Sequence, residues 1–227
     1  MSIWTRITDA ISALASGEGL SAVFDRLRTP PERSVAFTIA VIALGAKMAK
    51  ADGQVTRNEV AAFRQVFMIA REDEADAARV FNLARQDVAG YDHYARKIAG
   101  MFGAGDPALI DVMEGLFQIA TADGHYHPHE DAFLREVKAI FGVSDRCFRS
   151  LLGRFVPDAP PDPYDMLGVP HDAPLEEIRA AWRQAVRDTH PDRMMARGVP
   201  EEAIRMAEKR LVAINDAWQE INAKRAA

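Results

Sequence analysis

The sequence predicts an all-α protein built from two helical domains. Three observations predict it. Apolar residues recur at helical spacing along most of the chain, no alternating run of β-branched residues sits between hairpin turns, and four of the twelve prolines crowd between Pro157 and Pro163. At 227 residues the chain is long enough for each part to bury its own core. With 48% hydrophobic and 27% charged residues it reads as a folding globular protein. A mild net charge of −5 argues against a general nucleic-acid binder, which normally carries a basic excess on one face, so partners must be recognised locally. The single cysteine, Cys147, leaves no intramolecular disulfide and no cysteine-based zinc site, which points to a reducing compartment, the cytoplasm.

In residues 1–31, Ile3, Ile7, Ile11 and Leu14 share one helical face with Trp4 beside it. Packing on its own domain is preferred to a membrane-surface role because Arg6 is the only basic residue within the stripe from Ile3 to Leu14. No basic start leads into an apolar run and a small-residue cleavage site, so no secretory signal is expected. The longest apolar stretch, Val35 to Ala46, is closed by Lys47 and Lys50 and falls short of the ~20 residues that span a bilayer. It is expected as a buried helix within Glu32 to Lys50. Further helices are expected over Arg57–Ala70, Glu74–Gln86, Tyr91–Phe102, Pro107–Ala122, Pro128–Phe141 and Asp145–Phe155. These make a domain of residues 32–155. The prolines remove amide donors and restrict the backbone, so 156–161 is expected as a semi-rigid linker. Residues 162–227 then form a second domain, with a short helix near Tyr164–Leu167, a longer one over Leu175–Thr189 and a third from about Glu201 to Ala223.

The first domain contains a repeat. Ala49-Lys50-Ala51-Asp52-Gly53 matches Ala120-Thr121-Ala122-Asp123-Gly124, and in each copy a glutamate, Glu59 or Glu130, follows six residues after the glycine. The glycine allows a left-handed turn between an incoming and an outgoing helix, giving two related helix-turn-helix hairpins.

The second domain carries the chemistry. His190-Pro191-Asp192 follows an amphipathic helix, and a residue before proline is pushed out of helical geometry, so the tripeptide is expected as an exposed loop. Arg179, Arg183 and Arg187 recur every fourth residue and line one helical face, while Ile178, Ala181, Trp182, Ala185 and Val186 supply the apolar side. Ala207, Leu211, Ile214, Ala217, Trp218 and Ile221 form a second apolar stripe. The two helices can pair as an antiparallel hairpin with the tripeptide at its tip. An acid–base reading of His190 and Asp192 is disfavoured because nothing nearby in sequence offers a nucleophile or cleft. Gly17-Glu18-Gly19 lacks the third glycine and the preceding strand of a phosphate-binding loop.

Together, Pro163-Tyr164-Asp165-Met166-Leu167-Gly168-Val169, Ala181-Trp182-Arg183, His190-Pro191-Asp192 and Ile214-Asn215-Asp216-Ala217-Trp218 resemble the DnaJ J-domain in type, order and spacing. The resemblance implies a helical hairpin that triggers ATP hydrolysis in a DnaK-type chaperone. It implies contact through His190, Pro191, Asp192, Arg179, Arg183 and Arg187. The sequence departs from that family at Ala185, where a bulky apolar residue is common, and at Thr189, where an aromatic is common. No glycine-phenylalanine-rich segment or paired CxxC motif follows, so client delivery is expected to reside elsewhere.

The paired hairpins resemble TerB, the tellurite-resistance-associated helical domain, and the order of the two domains resembles the DjlA-type family, as does Met194-Met195-Ala196-Arg197-Gly198-Val199-Pro200-Glu201. No counterpart of that family's N-terminal membrane-spanning segment is expected here. The TerB resemblance implies a divalent cation, calcium or magnesium, with Asp52, Glu59, Asp123 and Glu130 as ligands, since a hard cation would offset the repulsion of converging carboxylates. The competing and preferred reading is helix capping: Thr56 and Glu59 have capping-box spacing, and Pro128 with Glu130 suits a first helical turn. His125, His127 and His129 are expected to point in different directions rather than to ligate zinc or nickel, and His93 and His171 show no partner in the sequence. The expected function is a non-enzymatic co-chaperone of a DnaK-type ATPase whose TerB-like domain localises it or senses a signal. The alternative is a metal-binding stress module that recruits chaperone.

Overall fold

A computed structural model describes residues 12, 38–39, 42–48, 74–86, 90–103, 105–196 and 201–226. The protein is all-α, with no strand among these residues. The described helices are α1 (Glu74–Gln86), α2 (Tyr91–Phe102), α3 (Pro107–Ala120), α4 (Pro128–Phe141), α5 (Asp145–Phe155), α6 (Pro163–Leu167), α7 (Leu175–Asp188), α8 (Pro191–Ala196) and α9 (Glu201–Ala226). Residues 42–48 are also helical, and Ile42, Ala43, Leu44, Ala46 and Met48 are buried, as expected for the long apolar stretch. Among the described residues no helix is long and apolar enough to cross a membrane. The N-terminal amphipathic stripe and the helix over Arg57–Ala70 lie outside the described residues.

Helix starts follow local chemistry. Asp106 accepts the Ala108 amide at 2.8 Å ahead of Pro107, and Asp162 accepts the Tyr164 amide at 2.8 Å ahead of Pro163, so each proline occupies a first-turn position where no amide is missed. Ser144 caps α5 through the Cys147 amide at 3.2 Å.

The chain falls into two compact units, Met1–Gly142 and Val143–Ala227. In the first, α4 packs on α2 and α3 around Tyr94, Ile98, Leu116, Phe117, Leu134, Val137 and Phe141, all buried. Gly124, at φ 86°, makes the left-handed turn that the repeat requires between α3 and α4.

In the second unit α9 packs against α6 and α7. Its core is Leu167, Val169, Ala173, Ile178, Ile214, Ala217 and Ile221, with Tyr164, Ala181, Trp182, Ala185, Val186 and Trp218 partly buried around it. Thus the short α6 closes the base of the hairpin. His171, without an evident partner in the sequence, stacks on Tyr164 at 4.5 Å and meets Asp162 Oδ2 at 2.8 Å. Arg225, near the end of α9, donates to the His171 carbonyl at 2.6 Å and lies over the Tyr164 ring.

The division between units falls at Gly142 rather than in the proline-rich segment, so α5, which the sequence reading assigns to the first domain, groups with the second. The physical reason is a clamp between α5 and α6. Arg149 donates to both oxygens of Asp165, at 2.6 and 2.8 Å, and Arg146 donates to the Gly168 carbonyl at 3.0 Å. Asp165 is buried, with a side chain only 8% exposed, so its charge is matched by a bidentate partner. The prolines reinforce this. A Cβ on Gly153 would stand 2.8 Å from the Pro161 Cα, so the segment lies directly against α5.

Candidate functional site

A contact surface requires side chains that are exposed yet held still, and the region around α7 and α8 provides both. Arg179, Arg183 and Arg187 are all exposed on one face of α7, as the four-residue spacing predicts. They are differently engaged. The Arg179 guanidinium lies 5.7 Å from the centre of the Trp218 ring, and Arg187 donates to Gln184 Oε1 at 2.6 Å. Among the described residues no ion pair or ring contact involves Arg183.

The tripeptide is not wholly a loop. His190 sits at the junction, but Pro191 and Asp192 form the first turn of α8. Proline ends the incoming helix through its effect on His190 and starts the next one, because its fixed φ suits a first helical position and an acidic residue beside it favours the helix dipole. The Arg193 and Met194 amides donate to the His190 carbonyl at 3.0 and 3.1 Å, and Met194 is buried, anchoring α8. The His190 and Asp192 side chains are 56% and 80% exposed. His190 Nδ1 and Asp192 Oδ2 are 3.7 Å apart, too far for a hydrogen bond, so no acid–base pair is formed.

Before the tripeptide, Thr189 occupies the position of the expected aromatic. It is buried, and its hydroxyl donates to the Ala185 carbonyl at 2.7 Å, so the polar group is satisfied within the last turn of α7. Opposite, Trp182 and Trp218 stack at 5.2 Å and the Trp182 Nε1–H donates to Asn215 Oδ1 at 2.9 Å. Asn215 is a supporting residue whose role rests on a pairing 33 positions away, which no local pattern in the sequence signals. Asn215→Ala is expected to lower stability by about 1 kcal/mol through the lost indole partner. Thermal unfolding checks this, and the loss should shrink in a Trp182→Phe background, where no N–H remains to be satisfied.

The carboxylates of the repeat have a different setting. Glu130 is buried and accepts the His127 amide at 2.8 Å, the reciprocal half of a capping box at the start of α4. Asp123 accepts the His125 amide at 2.8 Å and lies 3.5 Å from the His127 ring. Burial alone would raise the Asp123 pKa, but the His125 amide and the His127 ring outweigh it and hold the carboxyl below its ordinary value. Asp52 and Glu59 lie outside the described residues. Among the described residues no group of three or more histidine, cysteine or acidic side chains is placed to hold a metal ion. The histidines do not splay as expected: His127 and His129 stack at 5.5 Å with an interplanar angle of 10°, and His125 is 6.1 Å from His127.

A helical hairpin presenting His-Pro-Asp at its tip beside a row of arginines defines a J-domain protein, and residues 162–226 match the DnaJ domain family. Residues 38–152, half of the chain, match tellurite resistance protein TerB, and the chain belongs to the TerB family, with the DnaJ domain following in the order of a DjlA-like protein. Relatives span both parts. Co-chaperone protein DjlA of Photobacterium profundum is 26% identical over 216 residues, covering 84% of this chain and 78% of its own. The DjlA of Coxiella burnetii is 29% identical over 198 residues, covering 77% and 72%, and that of Escherichia coli is 24% identical, covering 96% and 97%. No solved structure matches the chain.

Proposed function

We propose that this protein is a co-chaperone that stimulates ATP hydrolysis by a DnaK-type chaperone through its J-domain, while the TerB domain localises it or senses a signal. The observation that carries this reading is the exposed tripeptide held between α7 and α8 beside the exposed Arg183. The relatives that bear the co-chaperone name support it. The protein acts by contact and has no catalysis of its own. A cytoplasmic setting fits both the chaperone partner and the lone Cys147, which is a free thiol. Recruitment by a metal-binding module is not favoured, since Asp123 and Glu130 are engaged in the turn and cap that start α4.

Single-turnover ATP hydrolysis by a purified DnaK-type chaperone, titrated with the full chain, tests the proposal. Wild type should accelerate hydrolysis, and absence of any acceleration would overturn the reading. Arg183→Ala should raise the half-saturating concentration about fivefold, equivalent to ~1 kcal/mol, and flatten its dependence on salt.

A further inference from the structure

We infer that Asp188 is a positioning residue for the His190–Pro191–Asp192 tripeptide, stapling the end of α7 to the first turn of α8. This deepens the co-chaperone reading and rests on it. Asp188 Oδ2 accepts the Gln184 side-chain amide at 2.7 Å, and Oδ1 accepts Arg193 Nη1 at 3.1 Å. Gln184 in turn accepts Arg187 at 2.6 Å. A connected run, Arg187–Gln184–Asp188–Arg193, therefore crosses from the basic face to the far side of the tripeptide. His190 lies between the two ends of the Asp188–Arg193 pair.

The backbone on both sides is fixed independently. Thr189 is tied back to the Ala185 carbonyl at 2.7 Å, and the Arg193 and Met194 amides converge on the His190 carbonyl. The Asp192 amide also donates to the His190 ring at Nδ1, at a long 3.3 Å. The Asp188–Arg193 pair adds a side-chain link from the last residue of α7 to the first turn of α8. Both members are well exposed, at 42% and 58%, so the pair contributes little to folding. Its effect lies in pre-organisation: a tripeptide held in one arrangement loses less freedom when a partner docks. Asp188 spends both carboxylate oxygens inside the protein, so it acts through the tripeptide rather than by touching the chaperone.

Two measurements on the full chain test this. In single-turnover hydrolysis by a DnaK-type chaperone, Asp188→Ala should raise the half-saturating concentration about threefold, the size of one exposed ion pair, with maximal stimulation unchanged. Arg193→Ala should match it, the double variant should be no worse than either, and Asp188→Glu should recover most of the loss. By hydrogen exchange, the Arg193 and Met194 amides should exchange about threefold faster in Asp188→Ala while the Trp182 and Asn215 amides stay unchanged. Unaltered exchange at Arg193 and Met194 overturns the inference. So does loss of stimulation in Arg193→Ala alone, which would mean that Arg193 itself touches the chaperone. A wild type that fails to stimulate sinks the co-chaperone reading instead, and the exchange rates still decide the staple.

Discussion

His190→Gln is expected to eliminate stimulation of a DnaK-type chaperone while leaving the protein folded. The His190 side chain is 56% exposed, and its one local bond, from the Asp192 amide to Nδ1, is a long 3.3 Å and exposed, so its loss should change stability by no more than about 0.5 kcal/mol. Its carbonyl, which accepts the amides that start α8, is retained by any residue at that position. The imidazole, by contrast, is offered on a backbone already restricted by Pro191, the arrangement in which a single side chain carries a large share of binding energy, so roughly a thirtyfold loss or more is expected. Hydrolysis assays with circular dichroism as the control for folding decide it. Equal stimulation by a folded His190→Gln would move the contact away from the tripeptide and onto the arginine face alone.

Gly153→Ala should destabilise the second unit, against the usual trend for glycine in a helix. In an exposed helix interior this change typically stabilises by up to ~1 kcal/mol. At Gly153, however, the new Cβ would meet the Pro161 Cα at 2.8 Å and the Pro160 carbonyl at 3.2 Å, and backbone atoms cannot swing aside as a side chain can. Overpacking of this kind costs roughly 1–3 kcal/mol, so the clash wins and a net loss of about 1 kcal/mol is expected. Displacing the prolines should also expose them, and the segment between Val156 and Pro163 should be cleaved faster by protease. Gly100→Ala is the control: it lies in α2 with nothing within 4 Å of the added carbon and should stabilise. If both substitutions stabilise, the proline segment does not lie against α5.

Much of this architecture was legible because it is encoded over short distances. The bounds expected for Glu74–Gln86, Tyr91–Phe102, Pro128–Phe141 and Asp145–Phe155 match the helices observed, since apolar period, capping residues and prolines all act within a few positions. The three arginines also share one face for the same reason. What stayed hidden depends on pairs that no period connects. Arg149 and Asp165 lie 16 residues apart across the prolines, and their joining moves α5 into the second unit. Asp188 and Arg193 face each other across a break in the helix, where the i, i+4 rule does not apply. The short α8 is hidden in the sequence because Pro191 both ends one helix and begins the next, and six residues are too few to show a period. The stacking of His127 on His129 arises in a turn, where alternation along the chain carries no directional information.

Helix α5 has a double membership that matters for anyone wishing to transplant the C-terminal module. By family resemblance residues up to 152 belong to TerB, whereas by packing everything from Val143 onward travels with the hairpin. A chimera that grafts residues 162–226 alone onto a foreign protein would strand Asp165 without its guanidinium and bare the surface of α6 that α5 now covers. A graft beginning at Val143 would carry its own counter-charge, and the host would inherit a module with a finished edge.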